Sequence, residues 1–358
     1  LYRALTFLVV SCPCALVVSV PLSFFGGIGG ASRKGILIKG GNYMDALAHI
    51  DTVVLDKTGT LTQGTFAVEA IHPDELSEKE LLHLAAHVEH FSHHPIAVAL
   101  QGAYQHVGDG CTTNHVHEVV GKGIVADVNG HRVAVGNERM MEAEGATLHP
   151  CKRCEGHAGT VVHVAIDGRY AGHVVISDQV KADASEALRA LRQLGVKQTV
   201  MLTGDKEAVA RQVAQQVGID SYAAELLPAD KVERVERLIE QQSQEKGTLA
   251  FVGDGINDAP VLARADVGIA MGAMGSDAAI DAADVVLMDD KPSKIAEAIR
   301  IARRTIANAR QNVIFAIVVK ALVLLLASVG VATMGMAVFA DVGVMVLCVL
   351  NSMRTLRV

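Results

Sequence analysis

The chain has 358 residues, of which half are hydrophobic and a fifth are charged, and its mean hydropathy is positive. This mixture is unusual for a purely soluble protein and predicts a cytosolic body joined to membrane segments. The net charge of −7 disfavours a nucleic-acid partner. The six cysteines are irregularly spaced and suggest no disulfide framework, so we expect a reducing compartment.

The first apolar segment runs from Ala4 to Ser32 without a charged residue and is long enough to cross a bilayer. A basic run begins at Arg33, so the positive-inside rule places this end in the cytoplasm. Pro13 and Pro21 each lack a backbone N–H, and an interruption at membrane depth is tolerated only where it lines a cavity. We therefore predict a transmembrane helix followed by a cytoplasmic stalk over residues 1–48.

Short apolar runs alternate with helical patterns between residues 50 and 290. The strand-like runs are Thr52–Leu55, Thr199–Leu202, Thr248–Val252, Val267–Met271 and Val285–Met288. Most of them are followed at once by Asp, Thr-Gly-Asp or Gly, which is typical of a parallel sheet with function at the strand carboxyl ends. We predict a doubly wound α/β domain over residues 49–65 and 173–292.

Residues 66–172 do not continue this alternation. They contain Asn129-Gly130 between alternating apolar residues, which is a strong signal for a β-hairpin. We therefore predict an α+β domain inserted into the doubly wound domain.

A second apolar region extends from Asn312 to Asn351 and is divided by a short turn near Gly330. Arginines flank it on both sides, so both ends are expected in the cytoplasm and the two helices form a hairpin. Lys320 lies ten residues past Arg310, which is ~15 Å along a helix. Asp341 is comparably deep. We predict a stalk and two transmembrane helices over residues 293–358.

The run Asp56-Lys57-Thr58-Gly59-Thr60-Leu61-Thr62 follows the first predicted strand. A carboxylate at a strand end can attack a γ-phosphate and form an acyl phosphate, so Asp56 is the candidate nucleophile. Gly59 allows the backbone to turn sharply. We expect Thr58 to present its carbonyl group to Mg²⁺ and its side chain to phosphate.

The run Thr203-Gly204-Asp205 follows the second strand, where Thr203 and Gly204 are expected to hold phosphate oxygens. Lys231, near a helix start at Pro228, offers a point charge for the transferring group. Phosphoryl transfer needs an in-line nucleophile, a metal ion and donors that spread the charge.

A third run, Gly253 to Pro260, follows the strand that ends at Val252. Asp254 and Asp258 are expected to complete the Mg²⁺ site, and Asn257 is expected to bind phosphate. Each run alone is compatible with ordinary turn chemistry. Three such runs at the strand ends of one sheet favour phosphoryl transfer.

With these motifs the chain resembles the P-type ATPases, whose haloacid-dehalogenase-like phosphorylation domain carries the three runs in this order. Cys12-Pro13-Cys14 narrows the resemblance to the heavy-metal-transporting subfamily. The resemblance implies an inserted nucleotide-binding domain that binds ATP. It also implies a set of nucleotide contacts: Glu89, His94 in Ser92-His93-His94-Pro95, Gly121 and Gly123 in Gly121-Lys122-Gly123, and Thr58, Gly204 and Asp205 beside the phosphates.

Cys12 and Cys14 bracket the mid-membrane proline, and as thiolates they suit Zn²⁺, Cd²⁺, Pb²⁺ or Cu⁺. Asp341 favours a divalent metal, and an intramembrane charge is a functional candidate by default. We interpret Lys320 as a built-in counter-ion rather than a snorkelling lysine. The resemblance implies such a Lys and Asp in zinc, cadmium and lead pumps. Met345 keeps a copper pump as the alternative.

Two groups of metal-binding residue types fall in the inserted domain. His149, Cys151, Cys154 and His157 have metal-ligand spacing, and a solvent-exposed loop is preferred over a regulatory metal site. His83, His87, His90 and His94 recur every three or four residues and share one helix face. Only His94 matches a motif, so the other three are predicted to form a solvated face.

Two other functions compete with a metal-translocating ATPase. A soluble phosphatase of the same fold conflicts with the three apolar spans, and a non-catalytic membrane scaffold conflicts with the presence of Asp56, Asp254 and Lys231. The chain has no Thr-Gly-Glu actuator motif, which the family uses to hydrolyse the phosphoenzyme. We expect this actuator in an N-terminal part of the same protein. We expect the chain alone to bind ATP without completing turnover.

Overall fold

The computed structural model describes residues 14–92, 94–104, 110–149, 151, 159–243, 247–255, 258–272, 277–331 and 333–357. The helices are α1 Cys14–Arg33, α2 Gly41–Ala48, α3 Glu78–Glu89, α4 Pro95–Ala103, α5 Glu138–Ala143, α6 Ala184–Gln193, α7 Glu207–Val217, α8 Pro228–Ser243, α9 Ala259–Arg264, α10 Asp277–Ala282, α11 Ser293–Val329 and α12 Met334–Ser352. The strands are β1 Ile36–Ile38, β2 Ile50–Asp56, β3 Thr62–Pro73, β4 Thr113–Val119, β5 Gly123–Val128, β6 His131–Gly136, β7 Thr160–Ile166, β8 Arg169–Val180, β9 Gln198–Leu202, β10 Ser221–Ala223, β11 Thr248–Gly253, β12 Val267–Met271 and β13 Val285–Leu287.

The chain divides into two compact units. Unit 1 comprises the residues up to Leu61, Ala182–Asp205, and the residues from Ala214 onward. Unit 2 comprises Thr62–Lys181 and Lys206–Val213. The sheet of unit 2 includes β3 and β8, so it extends beyond residues 66–172 at both ends.

Unit 1 is built on a sheet with the strand order β1-β13-β12-β11-β2-β9-β10. All neighbouring pairs are parallel except β1 with β13. The central strands are apolar and buried, as expected for a parallel sheet covered on both faces. The predicted doubly wound α/β fold is confirmed. β1 and β10 were not predicted from the sequence.

Among the described helices, three are long and apolar enough to cross a membrane, and they correspond to α1, α11 and α12. α1 continues through Pro21. α11 has 37 residues and extends about 55 Å, which exceeds the ~30 Å thickness of a hydrocarbon core. The rest of the helix is long enough to form the predicted stalk. α11 ends at Gly330, whose backbone is in the left-handed region, and α12 follows as the second helix of the predicted hairpin.

Polar side chains join the three membrane helices near one end. The Asn312 side-chain amide donates to Ser352 Oγ at 2.8 Å and to the Cys348 carbonyl group at 3.2 Å. Ser23 Oγ lies 2.9 Å from Ser352 Oγ. These buried groups replace the hydrogen bonds that water would otherwise supply, and they hold α1, α11 and α12 in one register.

Unit 2 is an antiparallel sheet with the strand order β3-β8-β7-β6-β5-β4. The predicted hairpin is present between β5 and β6, with Asn129 and Gly130 both at positive φ. α3 begins with a capping box between Ser77 and Glu80. Its apolar face, with Leu81, packs with α4 against the sheet.

Candidate functional site

Asp56 ends β2 and is buried, with 5% of its surface exposed. The Lys231 ammonium group donates to Asp56 Oδ1 at 2.6 Å and to Asp258 Oδ1 at 2.9 Å. Carboxylate oxygens of Asp56, Asp254 and Asp258 all lie within 4.8 Å of one another. The structure therefore brings four of the predicted catalytic and Mg²⁺-binding side chains together.

The charge of this cluster favours a cation. Burial, followed by the Asp258 carboxylate, raises the pKa of Asp56 and the Lys231 ammonium group lowers it, with a net result of about 7. Burial lowers the pKa of Lys231, but the adjacent carboxylates outweigh it and the net shift is upward. Three carboxylates around one ammonium group leave an excess of negative charge.

The donor set fits Mg²⁺, because this hard cation prefers carboxylate and carbonyl oxygens. The turn after Asp56 is closed by Gly59, whose φ is +71°. A Cβ atom at Gly59 would collide with the carboxylate of Asp254. The sharp turn therefore allows Asp254 to approach the nucleophile. Thr58 is exposed in this turn. Asn257 lies outside the described residues.

A second ion pair lies beside the nucleophile and was missed by the sequence analysis. Lys57 is buried, with 4% of its surface exposed, and its ammonium group lies 2.6 Å from Asp205 Oδ2. Thr203 Oγ1 donates to the same carboxylate oxygen at 3.1 Å. The ion pair thus connects the turn after β9 to the residue that follows Asp56. In the same turn, Gly204 is exposed. The lysine directly after the nucleophile was the sequence feature that could have indicated this ion pair.

Two of the candidate nucleotide residues of unit 2, Glu89 and His94, lie near the junction of α3 and α4. Glu89 ends α3 and is buried, and burial, followed by the charge of Glu118, raises the pKa of Glu89 to about 7. His94 is exposed and caps α4, where its Nδ1 accepts from the backbone N–H of Ile96 at 3.3 Å.

Gly121 lies in the turn between β4 and β5, and Gly123 begins β5; both have positive φ. The Asn137 side-chain amide donates to the Gly121 carbonyl group at 2.9 Å. A Cβ atom at Gly123 would collide with the Val135 carbonyl oxygen. Glycine at position 123 is thus required by the fold, and it leaves bare backbone that a ligand can approach closely.

In the membrane-spanning part, Lys320 on α11 and Asp341 on α12 form an ion pair with 3.8 Å between Nζ and Oδ1. Both side chains line a cavity that also contacts Ala15 of α1, the residue after Cys14. The structure therefore brings Lys320 and Asp341 together beside the start of α1. Cys12 lies outside the described residues.

The other groups of metal-binding residue types give different results. Of the first group, His149 and Cys151 are described, whereas Cys154 and His157 lie outside the described residues. The predicted solvated face is wrong for His83 and His87. Both are half-buried, because Tyr104 and Cys111 pack against them. The Tyr104 ring contacts both imidazole rings, which also contact each other, and His83 Nε2 lies 3.1 Å from Cys111 Sγ. His90 is exposed, as predicted.

Comparison with known proteins gives matches over the whole chain. A family model described as a haloacid dehalogenase-like hydrolase matches residues 50–266. A zinc-transporting ATPase of Synechocystis sp. is 54% identical over 355 residues, which cover 99% of this chain and 48% of that protein. A cadmium, zinc and cobalt-transporting ATPase of Bacillus subtilis is 53% identical, over 99% of this chain and 50% of that protein.

The fold comparison agrees. The crystal structure of a zinc-transporting PIB-type ATPase in its E2.Pi state has a TM-score of 0.90 and 39% sequence identity, and covers 100% of this chain and 58% of that chain. The chain spans about half the length of the curated relatives that it matches.

Proposed function

We propose a function from one premise: the chain belongs to the haloacid dehalogenase-like hydrolase family. The resemblance to heavy-metal-transporting P-type ATPases is confirmed, since zinc- and cadmium-transporting ATPases match the chain from end to end. We infer that the chain is the phosphorylation, nucleotide-binding and C-terminal membrane portion of an ATPase. That ATPase exports a divalent heavy metal across the cytoplasmic membrane, with its catalytic units in the cytoplasm.

The observation that carries this proposal is the contact of Asp56 with Lys231 beside Asp254 and Asp258. In the proposed reaction, Asp56 Oδ attacks the γ-phosphorus of ATP. The bond from that phosphorus to the bridging oxygen breaks, ADP leaves, and an aspartyl phosphate forms. Lys231 neutralises charge that develops on the phosphoryl oxygens.

Mg²⁺ would be held by Asp56, Asp254, Asp258 and the Thr58 carbonyl group, where it would neutralise charge on the phosphates. Thr203 and Asn257 are proposed to contact the transferring phosphoryl group, with Gly204 and Asp205 beside it. In unit 2, Glu89, His94, Gly121 and Gly123 are proposed to bind ATP. The buried carboxyl group of Glu89 supports this role, because a pKa raised to about 7 lets it donate a hydrogen bond.

The exported metal is proposed to bind Cys12, Cys14 and Asp341, with Lys320 as the counter-ion. The ion pair of Lys320 with Asp341 supports a carboxylate site that exchanges an ammonium group for a divalent cation. Zn²⁺ and Cd²⁺ are the favoured substrates, Pb²⁺ shares their coordination chemistry, and Cu⁺ is the alternative that a carboxylate disfavours.

The part of the relatives' length that this chain does not cover supports a further part of the proposal. We infer that the complete protein carries an actuator outside this chain, and that the actuator supplies the hydrolysis of the phosphoenzyme. The chain alone would then accumulate phosphoenzyme without turnover.

Labelling with [γ-³²P]ATP and Mg²⁺ tests the proposal. The chain should acquire an acid-stable label that hydroxylamine removes, as an acyl phosphate requires. Asp56→Asn should abolish the label. Asp45→Asn, an exposed carboxylate on α2, is the matched control and should retain it. A hydroxylamine-labile label that persists in Asp56→Asn would show that another residue is phosphorylated.

A further inference from the structure

Unit 2 contains a group of metal-binding side chains that the proposed transport cycle does not use. His83 and His87 lie one turn apart on α3 and share a face, and Cys111 precedes β4. One ligand atom of each residue lies within 4.8 Å of the other two. His83 Nε2 lies 3.1 Å from Cys111 Sγ.

Two neighbouring side chains orient these groups. Tyr104 Oη lies 2.7 Å from His83 Nδ1, and the Asn129 side-chain amide donates to Cys111 Sγ at 3.0 Å. When His83 Nδ1–H donates to the tyrosine oxygen, the lone pair of Nε2 points to the thiol side. The amide donor fixes the position of the sulfur atom. Hydrogen bonds of this kind commonly support metal ligands in proteins.

We propose that His83, His87 and Cys111 bind a borderline divalent cation of the Zn²⁺ class, with water in the fourth position. Two imidazoles and a thiolate form a donor set of the type used by zinc sites that keep one position open. Metal–ligand bonds of about 2.0–2.3 Å place tetrahedral donors roughly 3.3–3.6 Å apart. The present spacing within 4.8 Å therefore requires only a small side-chain movement.

The surroundings suit an exchangeable cation. All three side chains are half-buried, so the site excludes bulk water on one side and remains accessible on the other. Because the ligands come from α3 and from the segment before β4, a bound cation would link these two parts of unit 2. Its binding would therefore stabilise the folded unit in proportion to its affinity and concentration.

The test uses the full chain in detergent and removes competing ligands. The background variant carries Asp341→Ala and has serine in place of Cys12, Cys14, Cys151 and Cys154. It retains Cys111 and Cys348 as its cysteines. With Mg²⁺ in excess to occupy the Asp56 cluster, titration with Co²⁺ should give a thiolate-to-metal charge-transfer band that saturates at one Co²⁺ per chain, and Zn²⁺ should displace the Co²⁺. Thermal unfolding of the background should shift upward with added Zn²⁺.

Single changes then locate the site. Cys111→Ser should abolish the charge-transfer band, and His87→Gln should weaken Co²⁺ binding at least about tenfold. Tyr104→Phe should weaken binding but keep the band, since the thiolate remains. The controls are Cys348→Ser and His90→Gln, an exposed histidine next to α3, and both should bind as the background does.

The proposal is overturned if the background shows no thiolate band, or if Cys111→Ser keeps the band. It is also overturned if His90→Gln weakens binding as much as His87→Gln does. In those cases the cluster is a hydrogen-bonded packing contact.

Discussion

The ammonium group of Lys320 on α11 lies 3.8 Å from the carboxylate of Asp341 on α12, inside the membrane-spanning part of the chain. Neither charge would be stable alone in a hydrocarbon environment, so each compensates the other when no metal is bound. A divalent cation that binds Asp341 must displace the ammonium group, and the returning ammonium group would favour release of the metal.

The first prediction concerns this pair. In the complete ATPase, Asp341→Ala should abolish Zn²⁺-stimulated ATP hydrolysis, because the site loses its carboxylate and retains an uncompensated lysine. Steady-state phosphate release with and without Zn²⁺ measures the effect. Cys348→Ser, a neighbouring change on α12 outside the proposed ligand set, should retain stimulation. Undiminished stimulation in Asp341→Ala would exclude this carboxylate from the transport site.

The second prediction concerns the turn after the nucleophile. Gly59→Ala should lower the initial rate of phosphoenzyme formation about a hundredfold or more, because the new Cβ atom displaces the Asp254 carboxylate. The matched control is Gly195→Ala. Its φ of +81° imposes similar backbone strain, but among the described residues nothing lies within 4 Å of the added atom. If both variants lose the same activity, backbone strain alone is the cause and the collision with Asp254 is irrelevant.

The third prediction concerns pH and the buried His173 in unit 2. Burial, together with the nearby His72 and His163, lowers the pKa of His173 to about 4, and Tyr170 Oη lies 2.8 Å from its Nδ1. The unfolded residue has a pKa of about 6.5. The unfolded state therefore binds more protons between pH 6.5 and 4, so the free energy of unfolding falls as the pH is lowered through this range.

Hydrogen exchange of β7 and β8, measured between pH 7 and 4.5 and corrected for intrinsic rates, reports this loss. His173→Phe should flatten the dependence, because the phenyl ring does not titrate. His117→Gln, an exposed change on β4, should leave the dependence as it is. A slope that survives in His173→Phe would assign the titration to another group.

The fourth prediction concerns the packing of α1. A Cβ atom at Gly30 would lie 2.8 Å from the carbonyl oxygen of Thr355, and a backbone atom cannot rotate away. Gly30→Ala should therefore destabilise the membrane helices by about 1–3 kcal/mol, seen as a lower thermal midpoint in detergent. At Gly29 the nearest atom is Leu356 Cδ2 at 3.7 Å, an ordinary contact. Gly29→Ala should thus be tolerated, and equal losses would contradict the packing argument.

Much of the catalytic site was predictable from the sequence because the carboxyl ends of parallel strands meet at one edge of a sheet. Asp56 ends β2, and Asp254 directly follows β11, which is the strand paired with β2. Strand order then brings the two carboxylates together. That Lys320 and Asp341 lie at matching heights on neighbouring helices was predictable for a similar reason, since a helix advances by a fixed rise per residue.

Contacts between side chains on different elements depended on the tertiary structure. Periodicity places His83 on one face of a helix, but it does not reveal that Cys111, 28 residues later, packs against that face. The ammonium group of Lys231 likewise reaches both Asp56 and Asp258, which are 175 and 27 residues away in sequence. Local patterns thus determined which residues end strands and which cross a membrane. Packing decided which charges and ligands meet, because that depends on how distant segments are brought together.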